Sequence, residues 1–135
     1  MLKISDDGSS AKEVWTSRML DPVCGGAVAF NGRIYGTGYS DYKLTCLDWN
    51  SGKELYSVRT LAPGSIIAND GLLYVYSEKG RIGLVEPGTS GFNIIDTFNV
   101  PMGSGPHWAH LVIHNKRLYV RHNSALMVYD LAMNR

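Results

Sequence analysis

Apolar and polar residues alternate along this chain in short, strand-length runs, separated by glycine, asparagine, aspartate and serine. Gly26–Phe30 and Arg33–Gly36 flank Asn31-Gly32, a dipeptide suited to a type I′ hairpin because both central positions take positive φ. Lys43–Asp48 and Lys53–Val58 add two further strands, joined through Trp49-Asn50-Ser51-Gly52. The same plan returns as Ser65–Ala68, an Asp70-Gly71 turn, Leu72–Tyr76, Arg81–Glu86 and Phe92–Val100. A third round holds His110–His114, Arg117–Arg121 and Ala125–Asp130, without a fourth strand. Leu2–Ser5 and Lys12–Ser17 align with the last two strands of a round. No stretch carries a helical period.

The rounds repeat in sequence as well as in plan. Lys12-Glu13-Val14-Trp15-Thr16-Ser17-Arg18 returns as Lys53-Glu54-Leu55-Tyr56-Ser57-Val58-Arg59, 41 positions later. Tyr35, Tyr74 and Tyr119 close matching segments 39 and then 45 residues apart. A period near 40 built from short strands and tight turns predicts an all-β chain of β-propeller blades. About three four-stranded antiparallel blades are expected, as a partial propeller of a larger ring or as half of a dimeric ring. Residues 1–18 supply strands C and D of an incomplete blade; residues 26–60 form blade 1, 65–100 blade 2, and 110–131 blade 3 lacking its outer strand, all in one propeller domain. An open arc would expose strand edges and bare faces. One remedy is a longer propeller. The other is a homodimer in which Lys12 to Ser17 of each chain completes the third blade of the other, giving a six-bladed ring.

Composition narrows the partners. With 13 basic and 12 acidic residues among 135, the formal charge is +1, without the dense basic patch of a nucleic-acid surface. No apolar run approaches the roughly 18 residues of a membrane span. The first residues, Met1 to Asp7, have no apolar core of a signal peptide and read as a strand that begins mid-blade. Cys24 and Cys46 fit no CxxC pattern; Cys46, in an apolar strand, is expected as a buried thiol, with a Cys24–Cys46 disulfide the alternative.

The segment Leu44-Thr45-Cys46-Leu47-Asp48-Trp49-Asn50-Ser51-Gly52-Lys53-Glu54-Leu55 resembles the pyrroloquinoline-quinone-like (PQQ-like) propeller repeat, whose pattern runs roughly Leu-x-x-Leu-Asp-x-x-x-Gly-Lys-x-x-Trp. The closing aromatic is Tyr56 here and Trp15 in the preceding copy, and Leu118–Arg121 through Met127–Leu131 is similar to the same repeat. The resemblance implies an all-β propeller, usually of eight blades, in an exported bacterial protein that is periplasmic, in the cell envelope or secreted. The family includes quinone-dependent alcohol and sugar dehydrogenases and the scaffold lipoprotein of the outer-membrane barrel-assembly machinery. The dehydrogenases resemble one another in an adjacent Cys-Cys pair, an axial tryptophan and a calcium site. This chain has no Cys-Cys pair and no carboxylate cluster with calcium-type spacing. The expected function is therefore a non-catalytic binding or scaffold module for a protein or glycan partner, without a cofactor. The alternative is a fragment of a quinone-dependent dehydrogenase, with PQQ and calcium.

In a propeller, D-to-A and B-to-C connections share one rim, where ligand sites favour loop-lined concavities. The segment Pro101-Met102-Gly103-Ser104-Gly105-Pro106-His107-Trp108-Ala109-His110 stands out there, with Arg121 and His122 one strand later. As a ligand pocket, Trp108 would stack and His107, His110, Arg121 and His122 would supply polar contacts to a sugar, a carboxylate or a cofactor. The plainer expectation is that Trp108 plugs a gap between blades while the histidines bond loop carbonyls. His107, His110 and His114 as a metal site is disfavoured, since His114 should lie at the far end of a strand. Asp48, Glu86 and Asp130 recur just before the C-to-D turn and suit turn capping.

Overall fold

The computed structural model describes residues 1–132, and they form strands and turns only. β1 (Leu2–Ile4) and β2 (Ala11–Glu13) make a short two-stranded ladder. β3 (Ala27–Phe30), β4 (Arg33–Thr37), β5 (Leu44–Asp48) and β6 (Glu54–Val58) form a four-stranded antiparallel sheet in chain order. β7 (Gly64–Asn69), β8 (Leu72–Ser77), β9 (Arg81–Pro87) and β10 (Phe92–Asn99) form a second. β11 (Val112–His114), β12 (Arg117–His122) and β13 (Ala125–Asp130) form a third, of three strands. The first hairpin of each of the three larger sheets turns on Asn31-Gly32, Asp70-Gly71 or Asn115-Lys116, all with positive φ, as type I′ geometry requires.

Two expectations are corrected at the loop ends. Lys12–Ser17 does not run as one strand: the ladder ends at Glu13, the Val14 and Trp15 backbones bond to Met1, and the Trp15 side chain docks on the next sheet. His110 lies outside the inner strand, which begins at Val112, because the chain is still crossing the rim at that point. Both cysteines are free. Burial raises the Cys46 thiol above its ordinary pKa against the lowering hydrogen bond of Tyr56, and burial followed by Glu78 raises that of Cys24, so both stay protonated.

The sheets stack face to face, and the run Leu72-Leu73-Tyr74-Val75-Tyr76 in β8 explains why. It has no polar face because both of its faces are covered. Leu73 and Val75 point into a core with Tyr35, Leu44 and Cys46 of the first sheet. Tyr74 and Tyr76 point the other way, into a core with Leu118, Val120 and Met127 of the third. One continuous apolar strand thus joins two cores.

Aromatics on the outer strands tie each sheet to the next. Trp15 packs over Gly52 so closely that a Cβ there would meet the indole, and Nε1 donates to the Trp49 carbonyl at 3.0 Å. At the following junction Tyr56 meets Phe92 edge-on, with centroids 4.9 Å apart, and its hydroxyl donates to the Gly88 carbonyl at 2.7 Å. Arg33 donates to the same carbonyl and to that of Thr89, clamping the second sheet's turn. Phe98 meets Tyr129 at 4.8 Å in the third junction. Deeper in, the Thr37 hydroxyl donates to the Gly64 carbonyl at 2.6 Å, a buried stitch between sheets. Asp48 accepts from the Asn50 and Ser51 amides and so caps its turn; Asp130 does the same for Ala132.

Leu73→Ala removes a fully buried side chain from the first core and is expected to cost about 2–5 kcal/mol. Leu55→Ala, at a half-exposed outer-strand position, is expected to stay within about 0.5 kcal/mol. Urea unfolding of the two variants beside the parent chain measures both.

Candidate functional site

The crossover from β10 to β11 is irregular backbone held by two histidines. The imidazoles of His107 and His122 stack with centroids 3.7 Å apart and an interplanar angle of 23°. His122, buried at the end of β12, has the Met102 carbonyl 2.8 Å from Nδ1 and the Gly105 carbonyl 2.8 Å from Nε2. Each ring nitrogen of His122 thus faces a loop carbonyl. Gly103 passes so close over His122 that a Cβ there would meet the ring.

His107 reaches back to the second sheet, where its Nδ1 lies 2.6 Å from the hydroxyl of Tyr76. Burial raises Tyr76 above its ordinary pKa, so the phenol keeps its proton and donates. Gly80 lies beneath the His107 ring, where a Cβ would come within 2.6 Å. Burial first, and the charge of His122 second, hold His107 below its ordinary pKa. The pair is a clasp between the second and third sheets.

Of the five candidate residues, the structure brings His107 and His122 into contact and leaves the other three outward. Trp108 is 57% exposed and plugs no gap between sheets, because the clasp takes up the space beneath the crossover. His110 is exposed beside it, and Arg121 is exposed with Nε donating to the Asn123 carbonyl at 2.9 Å. Among the described residues no group of three His, Cys, Asp or Glu side chains could hold a metal ion. Tyr76 is the member of this cluster that the sequence concealed, since it looks like any apolar-run tyrosine.

A second feature is the outer face of the third sheet. Val112 pairs with Tyr119, Tyr119 with Val128, and Arg121 with Leu126, so these side chains share one face. Val112, Val128 and Leu126 are 54%, 49% and 64% exposed, whereas Leu118, Val120 and Met127 on the opposite face are buried. The outer edge of β13 has no strand partner among the described residues.

No family model matches the chain, and no curated protein does. Among solved structures it is similar to BamB from Moraxella catarrhalis, with a TM-score of 0.62 at 20% identity over 78% of this chain. The chain is a partial β-propeller. It spans 32% of the length of that BamB chain. The radial sheets are propeller blades, the clasp lies on the rim of blades 2 and 3, and the open apolar face belongs to blade 3.

The clasp sets a pH dependence. Because the folded pKa of His107 is lowered, the unfolded chain binds a proton at a pH where the folded one does not. The contribution of His107 is therefore full above its ordinary pKa of about 6.5 and is lost as pH falls through the lower folded value. The unfolding free energy from urea titration should therefore fall on acidification below about pH 6.5, and His107→Phe should flatten that response.

Proposed function

We propose that this propeller is a non-catalytic binding or scaffold module that recruits a protein partner through the open face of blade 3. The observation that carries this is exposed Val112, Val128 and Leu126 around half-buried Tyr119, next to a strand edge unpaired among the described residues. An apolar face beside free backbone donors and acceptors suits strand addition or blade-on-blade packing, not turnover of a small molecule. Trp108, exposed on the neighbouring rim, adds a flat surface on which an aromatic, proline or sugar ring can stack.

The repeat pattern from Leu44 to Leu55 and the likeness to BamB support a PQQ-like propeller that uses its surface as a scaffold. The sequence resemblance likewise supports a periplasmic or secreted location in a bacterial cell envelope. In this reading the module works without a cofactor.

The partner of first choice is a second copy of the chain. Exchange of the Lys12–Ser17 segment would supply the fourth strand of blade 3 and leave Trp15 docked on its own Gly52. β1 must then release β2, a ladder of only three residue pairs, Leu2 with Glu13 through Ile4 with Ala11. Light scattering after gel filtration should give twice the 14.9 kDa chain mass. Leu126→Asp with Val128→Asp should return it to one chain mass without unfolding blades 1 and 2. A monomeric parent chain at tens of micromolar overturns the exchange.

A further inference from the structure

A cleft of about 370 Å³ opens on the rim between blades 1 and 2, away from the blade 3 face. Its walls come from the B-to-C connection of blade 1 (Tyr42), the crossover into blade 2 (Arg59, Thr60, Leu61) and the B-to-C turn of blade 2 (Ser77, Lys79, Arg81). Three cations line it and no carboxylate does. In a chain of formal charge +1, that is a local concentration of one sign.

The nearby acids are turned elsewhere. Asp41 pairs with Lys43 at 3.4 Å, and Asp96 accepts from the Thr97 amide at 2.7 Å. Glu78, on the same turn as Lys79, faces Cys24 on the other side. Among the described residues, Arg59 and Lys79 have no hydrogen bond or ion pair through their side chains, and Arg81 has only the Thr97 hydroxyl at 2.7 Å, which orients its guanidinium. The walls also carry backbone that ordinary side chains seldom adopt: Tyr42 at φ +57° and Leu61 at φ +54°. Leu61 is held there by burial against Gly83, which fixes the crossover bearing Arg59 and Thr60.

We propose that this cleft is a binding site for a multiply charged oxyanion, a polycarboxylate or a phosphate group, gripped by Arg59, Lys79 and Arg81. Two guanidinium forks and one ammonium match the several acceptor oxygens of such a group, and the rigid turns hold the charges together before the ligand arrives. The Tyr42 ring and the Leu61 and Ala62 side chains leave room for a short carbon skeleton. The proposal does not depend on the scaffold reading, since neither blade 3 nor its edge contributes a residue.

Isothermal titration of the full chain with citrate and with pyrophosphate tests it and separates the two chemistries. At least one should bind saturably, one per chain, at low to moderate salt, and weaken steeply in ~0.5 M NaCl. Lys79→Gln with Arg81→Gln should lower that affinity at least about tenfold. Both residues are exposed, so the thermal midpoint should hold. Acetylation of Lys79 in the unmutated chain, read by mass spectrometry, should slow when the bound anion is present while Lys3 and Lys12 react as before. Failure of both anions to saturate at millimolar concentration overturns the site. So does binding that the double variant retains, or Lys79 reacting at the same rate with and without anion.

Discussion

A four-stranded sheet that is apolar on both faces cannot stand alone, and that constraint organises this molecule. Blade 2 is the clearest case. Leu73 and Val75 face one neighbour while Tyr74 and Tyr76 face the other, and every one of them is buried. Burying a side chain of this size contributes roughly 1.5–3 kcal/mol, so each neighbour stabilises the blade it covers. Stability is therefore a property of adjacent pairs, as in other repeat arrays. The outer-strand aromatics Trp15, Tyr56 and Phe98 fix the pitch, each meeting the C-to-D region of the following blade.

The rim obeys different physics. Its backbone leaves the ladders, so its carbonyls need other donors. Asp21 accepts from the Tyr39 and Ser40 amides, and His122 serves the Met102 and Gly105 carbonyls. These charged and aromatic groups are spent on holding loops in place. Both His122 nitrogens and His107 Nδ1 are thus engaged within the fold, whereas Trp108 stays outward.

The ladders were legible in the sequence because their signals are periodic and local. Asn31-Gly32 and Asp70-Gly71 demand positive φ wherever they occur, and the recurrence of Lys-Glu-x-aromatic at 12–15 and 53–56 sets the register without any tertiary knowledge. The ends of elements were less legible, since the ladder ends at Glu13 and the Trp15 side chain makes a contact 34 residues away, which no local signal encodes. The rim was legible only as a place. That His107 finds Tyr76, or that Arg59, Lys79 and Arg81 line one cleft, depends on how two crossovers and a turn pack, and each residue alone reads as an ordinary loop or strand side chain.

The two surfaces that remain available sit at different levels of this hierarchy. The basic cleft is complete within blades 1 and 2, whose shared core is closed by Tyr35, Leu44, Leu73 and Val75. The blade 3 face is finished only when something covers it. A ligand can couple to a partner only through an element that has two arrangements. Between cleft and face lies β8, buried on both sides and in register with β7 and β9 along its length, which offers no second arrangement. The element that touches both blades is the 101–110 crossover, whose clasp closes on Tyr76 and Gly80, next in sequence to the cleft residues Ser77, Lys79 and Arg81. The turn from Ser77 to Arg81 is thus shared: one side lines the cleft, and the other carries the Gly80 backbone on which the His107 ring rests.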